Sequence, residues 1–161
     1  EMRISDWSSD VCSSDLAHTL NIELVGMSSL LALVPTQQKG LVVPLMDARR
    51  NNVYAGFYED AQPVFPEAHL SFAEVLEQVK DAERVTFVGE VGAFVEQIQE
   101  QLPQANYQET LPNAANLALW AWYKEADSLH DFVPNYLKRV EAEENWLKNH
   151  TESGESYIKR L

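Results

Sequence analysis

The residues best suited to hold a ligand are Asp47-Ala-Arg-Arg50, the densest polar cluster beside an apolar run. An arginine pair meets carboxylate or phosphate with planar, paired hydrogen bonds. Asp47, Arg49 and Arg50 are therefore the candidate binding residues, with an anion as their ligand. The same residues also read as a hairpin turn, in which Asp47 accepts backbone N–H bonds and the arginines are solvated. A second cluster, Gly89-Glu-Val-Gly92, lies between a β-branched run and a helical pattern, where a helix N-terminus can hold an anion. Its spacing fits neither a phosphate loop nor a dinucleotide fingerprint, and Glu90 would repel a phosphate. A tight strand-to-helix turn accounts for it more simply.

No catalytic residue and no metal ligand is assigned. Cys12 is the only cysteine, and the histidines at 18, 69, 130 and 150 are scattered without metal-ligand spacing. Ser156 follows a glycine but lacks the nucleophile-elbow pattern. Glu143 and Glu144 read as a solvated face. Asn149-His-Thr151 matches a glycosylation acceptor, which without a secretory signal is accidental.

Twenty-five acidic residues stand against 12 basic ones, a formal net charge of -13. Nucleic-acid binding needs clustered Lys and Arg, so this balance weighs against the chain gripping RNA alone. It suits a subunit that leaves RNA to a basic partner. No apolar run approaches the roughly 20 residues of a membrane span, and no segment has the form of a secretory signal. The expectation is a cytoplasmic protein with no membrane contact.

These clusters must be positioned by regular elements. His18–Asn21 reads as the last turn of a helix, and Ile22–Gly26 as a short buried strand ended by glycine. Ser28 and Ser29 can cap a helix through Leu30, Leu31, Leu33 and Val34, which Pro35 stops. Leu41–Met46 is a second apolar run, at an edge or irregular at Pro44. Val53–Glu59 alternates with period two, as a half-buried strand does, and the two runs form a hairpin around residues 47–52. Ser71–Lys80 is the clearest helix: Ser71 and Glu74 have capping-box spacing, Leu70 can staple onto Val75, and Phe72, Val75, Leu76 and Val79 share a face. Val85–Val88 is a β-branched strand ended by Gly89. Val91, Val95, Ile98 and Leu102 mark a helix ended by Pro103. Asn113 can cap a further helix to about Ala126, with Trp120 and Trp122 on different faces, so that one packs in the core and the other either meets a partner or serves packing alone, the simpler reading. The alternation predicts an α/β fold with helices on a sheet.

The ends stand apart. Residues 1–16 contain the near-repeat Ser-Ser-Asp-Val-Cys-Ser-Ser-Asp and almost no apolar periodicity, which predicts a disordered tail. The string resembles a translated sequencing adapter, and such a segment is left out of fold reasoning; on that reading the natural sequence begins upstream of Ala17. Beyond Val140 the chain carries mixed charge around Trp146 and Leu147. Tyr136-Leu-Lys-Arg-Val140 and Tyr157-Ile-Lys-Arg-Leu161 are similar but too short to form a repeat. The expected organisation is 1–16 as an artefact, 17–40 as a remnant of a first lobe, 41–139 as a second lobe and 140–161 as a tail.

Three strings carry a resemblance. Leu20-Asn-Ile-Glu-Leu-Val-Gly-Met-Ser-Ser-Leu30, Val43-Pro-Leu-Met-Asp-Ala-Arg-Arg-Asn-Asn-Val-Tyr54, and Pro134-Asn-Tyr-Leu-Lys-Arg139 with Glu141-Ala-Glu143 resemble, in order, segments of the TsaB family. The resemblance implies an actin-like ATPase (ribonuclease-H-like) fold, here an incomplete first lobe plus a complete second lobe. It implies a non-catalytic subunit of the tRNA threonylcarbamoyladenosine modification complex, supporting the catalytic subunit TsaD and joined by the ATPase TsaE. Contact with tRNA would come only through the complex. ATP and metal would sit on the partner subunits, with no cofactor in this chain. A homodimer is a further expected pairing. With most of the first lobe missing, Leu30, Leu31 and Leu33 would face water, and the chain would aggregate. Two rivals stand beside this reading: a hydrolase of the peptidase type, and a free-standing lobe that binds an anion or nucleotide through Arg49 and Arg50.

Overall fold

The computed structural model describes residues 8–129 and 132–138. Its centre is a five-stranded sheet of β1 (Leu41–Asp47), β2 (Asn52–Glu59), β3 (Gln62–Ser71), β4 (Val85–Gly89) and β5 (Asn106–Glu109), in the order β3-β2-β1-β4-β5. The first three strands pair antiparallel, while β1–β4 and β4–β5 run parallel. Helices α1 (Ser8–Leu20), α2 (Phe72–Val79), α3 (Val95–Gln101) and α4 (Ala114–Ala121) complete the mixed α/β arrangement.

The expected hairpin is β1–β2, but β1 lies at the centre of the sheet. Pro44 is accommodated because the β1–β2 ladder has no pair at Val43 or Pro44, while the β4 side continues through Pro44↔Val88. A proline has no N–H to give, so a gap on one side costs the ladder little. β2 is more than half-buried. Val53, Ala55 and Phe57 join β1, β4, α2 and α3 in the larger core, and Tyr58 lies in a second cluster on the opposite face. The β2–β3 turn is a two-residue loop with positive φ at Asp60 and Ala61, the twist that a tight hairpin requires.

α2 forms as its sequence dictates. The Ser71 hydroxyl accepts from the Glu74 N–H, the Glu74 carboxylate accepts from the Ser71 N–H, and Phe72, Val75, Leu76 and Val79 are buried. Full burial of one such side chain contributes about 1.5–3 kcal/mol.

The segment before the sheet departs from expectation. α1 extends back to Ser8, so residues 8–16 are helical where composition predicts a disordered tail. It ends with Asn21 in the left-handed region, where the Asn21 and Ile22 N–H groups bond His18 and Ala17 carbonyls, a helix-ending motif. Residues 22–26 form no strand, and Ile22 is half exposed. Only Leu31–Leu33 of the expected helix is regular, as a single 3-10 turn. The leucines do not face water: Leu30, Leu31, Leu33 and Val34 pack with Val42, Tyr58 and Val88 on the second sheet face. That contact removes the basis for an exposed leucine row.

α4 ends at Ala121, short of Ala126. Residues 1–7, 130–131 and 139–161 lie outside the described residues, among them His130, Arg139, Glu143, Glu144, Trp146, the 149–151 acceptor, Ser156 and the pentapeptide at 157–161.

Candidate functional site

The carboxyl ends of the parallel strands β1, β4 and β5 converge, the place where open α/β sheets hold ligands. Asp47 ends β1 and Gly89 ends β4. There a cleft of about 540 Å³ is lined by Asp47, Arg49, Gly89, Glu90, Glu109 and Thr110, among others.

The hairpin-turn reading of Asp47-Ala-Arg-Arg50 has a direct counterpart. Asp47 Oδ1 accepts the Arg49 N–H at 2.7 Å, which closes the turn, and Arg49 reaches Asp47 Oδ2 at 3.8 Å with its side chain 88% exposed. Arg50 is exposed and lies outside the lining of the cleft. Arg49, Arg50 and Asn51 all adopt positive φ, at 69°, 53° and 58°. Side chains other than glycine visit that region at a cost, and three in succession are unusual. The turn holds because its polar groups are braced from several directions. Asn52 Nδ2 donates to the carbonyls of Arg49 and Arg50 at 3.2 and 3.1 Å. Gln97 of α3 pairs with the Asn51 amide, with Gln97 Nε2 donating at 3.0 Å. The Asp47 N–H donates to Glu90 Oε2 at 2.7 Å, which ties β1 to the β4–α3 connection.

Sequence reasoning missed Asn52, Gln97 and Glu90 as braces. The amide beside the arginines was a local signal, since asparagine serves turns. Gln97 lies 46 residues from its partner and carries no such signal.

The Gly89–Gly92 cluster is the tight connection expected. The Glu90 N–H bonds the Leu45 carbonyl at 2.9 Å and the Val91 N–H bonds the Gly89 carbonyl at 3.0 Å. No side chain caps the 3-10 turn Gly92–Phe94 or α3. Asp47, Glu90 and Glu109 outnumber Arg49 in the cleft lining, which disfavours a phosphate inside it.

A second cleft, of about 950 Å³, lies on the opposite sheet face, with Ser28, Met46, Tyr54, Glu67, Lys124 and Asp127 among its walls. Glu67 accepts hydrogen bonds from the hydroxyls of Ser28 and Tyr58. Burial, and next the Glu67 carboxylate, push the Tyr58 hydroxyl far above its ordinary value. Asp127 Oδ2 accepts the Gly26 N–H at 2.7 Å, and Lys124 Nζ donates to the Gly26 carbonyl at 2.7 Å. The Gly26 N–H, and then Lys124, hold the Asp127 carboxyl below its usual range.

Trp120 packs against the second-face cluster, while Trp122 and Tyr123 are 84% and 85% exposed. Among the described residues, no group of three or more His, Cys, Asp or Glu side chains could hold a metal ion, and no helix is long and apolar enough to cross a membrane.

A family model described as "TsaD: tRNA N6-adenosine threonylcarbamoyltransferase" matches residues 11–146. The chain is 32% identical over 146 residues to the "tRNA threonylcarbamoyladenosine biosynthesis protein TsaB" of Bacillus subtilis (strain 168). That alignment covers 83% of this chain and 64% of the relative, so the chain spans less than two thirds of the relative's length.

Proposed function

Because the chain belongs to the TsaD/TsaB family of tRNA threonylcarbamoyladenosine proteins, and is TsaB-like within it, we propose that it is a non-catalytic subunit of the apparatus that makes this modification. Its domain has the actin-like ATPase fold, built here on a mixed five-stranded sheet. In this reading the chain supports the threonylcarbamoyltransferase TsaD, with TsaE as a further partner and tRNA met only through the assembly. ATP and metal belong to the partner subunits. The setting is the cytoplasm.

One observation carries the reading: the β1–β2 turn holds Arg49 and Arg50 outward, braced by Asp47, Asn52 and the Asn51–Gln97 pair. A braced turn that carries an exposed arginine pair suits presentation to another surface, because little backbone freedom is left to lose on contact. The net charge of -13 favours a protein partner over bare RNA.

The test is reconstitution. A full-length relative carrying this turn is titrated with TsaD by calorimetry, and threonylcarbamoyladenosine formation is followed by nucleoside mass spectrometry with TsaE present. Arg49→Ala with Arg50→Ala is expected to weaken TsaD binding about tenfold and to lower product formation in proportion, without altering the fold. Unchanged affinity for TsaD overturns the role of the arginine turn. Product formation, or metal-dependent peptide cleavage, by the purified chain alone overturns the non-catalytic reading. Nucleotide binding lost with the same double substitution would instead favour a free-standing anion-binding lobe.

A further inference from the structure

Residues 24–34 cross the second sheet face as a strap most of whose polar ties run to residues 110–127. The Asp127 N–H donates to the Leu24 carbonyl at 2.8 Å, and Asp127 Oδ2 and Lys124 Nζ grip the two backbone polar groups of Gly26. The Asn113 N–H donates to the Ala32 carbonyl at 2.9 Å, the Thr110 hydroxyl to the Leu33 carbonyl at 2.8 Å, and Asn116 Nδ2 to the Val34 carbonyl at 3.2 Å. Among the described residues no backbone hydrogen bond joins 27–34 to a strand. The strap meets the sheet through side chains: the Leu30, Leu31, Leu33 and Val34 cluster, and the bond from Ser28 to Glu67.

The partner segment is held no more firmly. α4 has no buried residue, and Leu117 and Trp120 pack against the cluster that the strap forms with Val42, Tyr58 and Val88. Each segment thus satisfies the other's backbone, and apart from Thr110, whose N–H donates to the Gly89 carbonyl of β4 at 3.4 Å, no backbone hydrogen bond among the described residues ties either to a strand in this region. Releasing one would leave the carbonyls of Ala32, Leu33 and Val34 and the Gly26 N–H without these partners. Lost partners of part-buried backbone groups make opening one without the other unfavourable.

We propose that residues 24–34 and 110–127 form one cooperative latch over the second sheet face, which opens as a unit while the larger core stays closed. Such units are known as local openings below the global unfolding free energy. The inference stands independently of the modification-complex reading, since it uses only contacts within the chain. It gives the fold a device by which a ligand on α4's outer face, where Leu119, Trp122 and Tyr123 are exposed, would steady Leu30–Val34 about 90 residues earlier in sequence.

Native-state hydrogen exchange on the full chain tests it. In the unaltered protein, the bonded amides of Leu33 and Val34 on the strap and of Asn113, Leu117 and Asp127 on its partner are expected to share one opening free energy and one denaturant slope. Both should lie below those of Val43, Phe57 and Phe87. Asp127→Ala is expected to speed exchange about tenfold at Leu33 and Val34 and by the same factor at Leu117, leaving Phe57 and Phe87 unchanged. Glu67→Gln, which keeps an acceptor for Ser28 and Tyr58, is expected to speed both sets equally but less. Exchange of strap and α4 amides with different free energies or slopes would sink the proposal. So would acceleration confined to residues 24–26 in Asp127→Ala, or a simultaneous rise at Phe57 and Phe87. If Asp127→Ala fails to fold, the unaltered protein's exchange still decides.

Discussion

Gly89 closes β4 with a φ of 95°, and a Cβ placed there would meet the Leu45 carbonyl oxygen at 2.4 Å and Leu33 Cδ1 at 2.9 Å. The first neighbour is backbone and cannot swing aside. The Gly89 carbonyl also accepts the Val91 N–H in the turn toward α3. Gly89→Ala therefore combines a left-handed conformation with a backbone clash and is expected to cost at least about 2 kcal/mol, checked by urea unfolding. Gly92→Ala is the control: its nearest neighbour is the Glu109 carboxylate, the movable end of a side chain, and its φ is not positive, so a loss under about 1 kcal/mol is expected. The structural meaning of Gly89 was legible, because a glycine between a β-branched run and a helical pattern marks a turn. The left-handed run at Arg49, Arg50 and Asn51 was not. Local preference disfavours it, and it persists because Asn52 and the distant Gln97 bond its polar groups.

At the scale of elements, α2 shows where local signals suffice. Its capping box, buried face and boundaries all arise within residues 70–80, so nothing distant was needed to foresee them. Ser71→Ala is expected to cost about 1 kcal/mol by chemical denaturation, a usual figure for losing such a cap. The cap also carries a pH signature. The Ser71 hydroxyl, and then its backbone N–H, hold the Glu74 carboxyl below the ordinary glutamate value. A carboxyl lowered in the folded state contributes fully above its unfolded pKa of about 4.3 and loses that contribution as pH falls through the lowered value. Ser71→Ala should therefore show a smaller loss of stability between pH 5 and pH 3, about, than the unaltered protein. An equal loss would mean that Glu74 takes no part. β3 and β5 escaped notice for the opposite reason. β3 contains Pro63 and Pro66 and is an edge strand exposed over its first half, so neither composition nor alternation announces it. β5 is four exposed residues, recognisable only by its pairing with β4. The apolar run Ile22–Gly26 misled in the other direction: Leu24 and Gly26 bond Asp127 rather than a strand, a choice fixed about a hundred residues away.

For the molecule as a whole, the decisive misjudgement concerned what covers the sheet's second face. A leucine row at 30–33 looked stranded because its partner, the face made by Val42, Tyr58 and Val88, is assembled from three separate strands. With that face covered, electrostatics becomes the term most exposed to solution conditions. Charges of one sign exceed the other by 13. The ion pairs among the described residues, Arg49–Asp47, Lys80–Glu77 and Lys124–Asp127, all include exposed side chains and are local in sequence. Exposed pairs of that kind contribute at most about 1 kcal/mol each, and salt weakens them. Salt equally screens the repulsion among the excess carboxylates, which acts between all of them and favours the expanded chain. The Debye length falls from about 30 Å at 0.01 M to about 10 Å at 0.1 M, enough to silence repulsion across the molecule while contact pairs retain part of their attraction. Relief of repulsion should win, so Tm is expected to rise by about 2–5 °C over that range of sodium chloride, measured by calorimetry at neutral pH. A flat or falling Tm would mean that the acidic excess is spread too widely, or is too well paired, to press on the folded state.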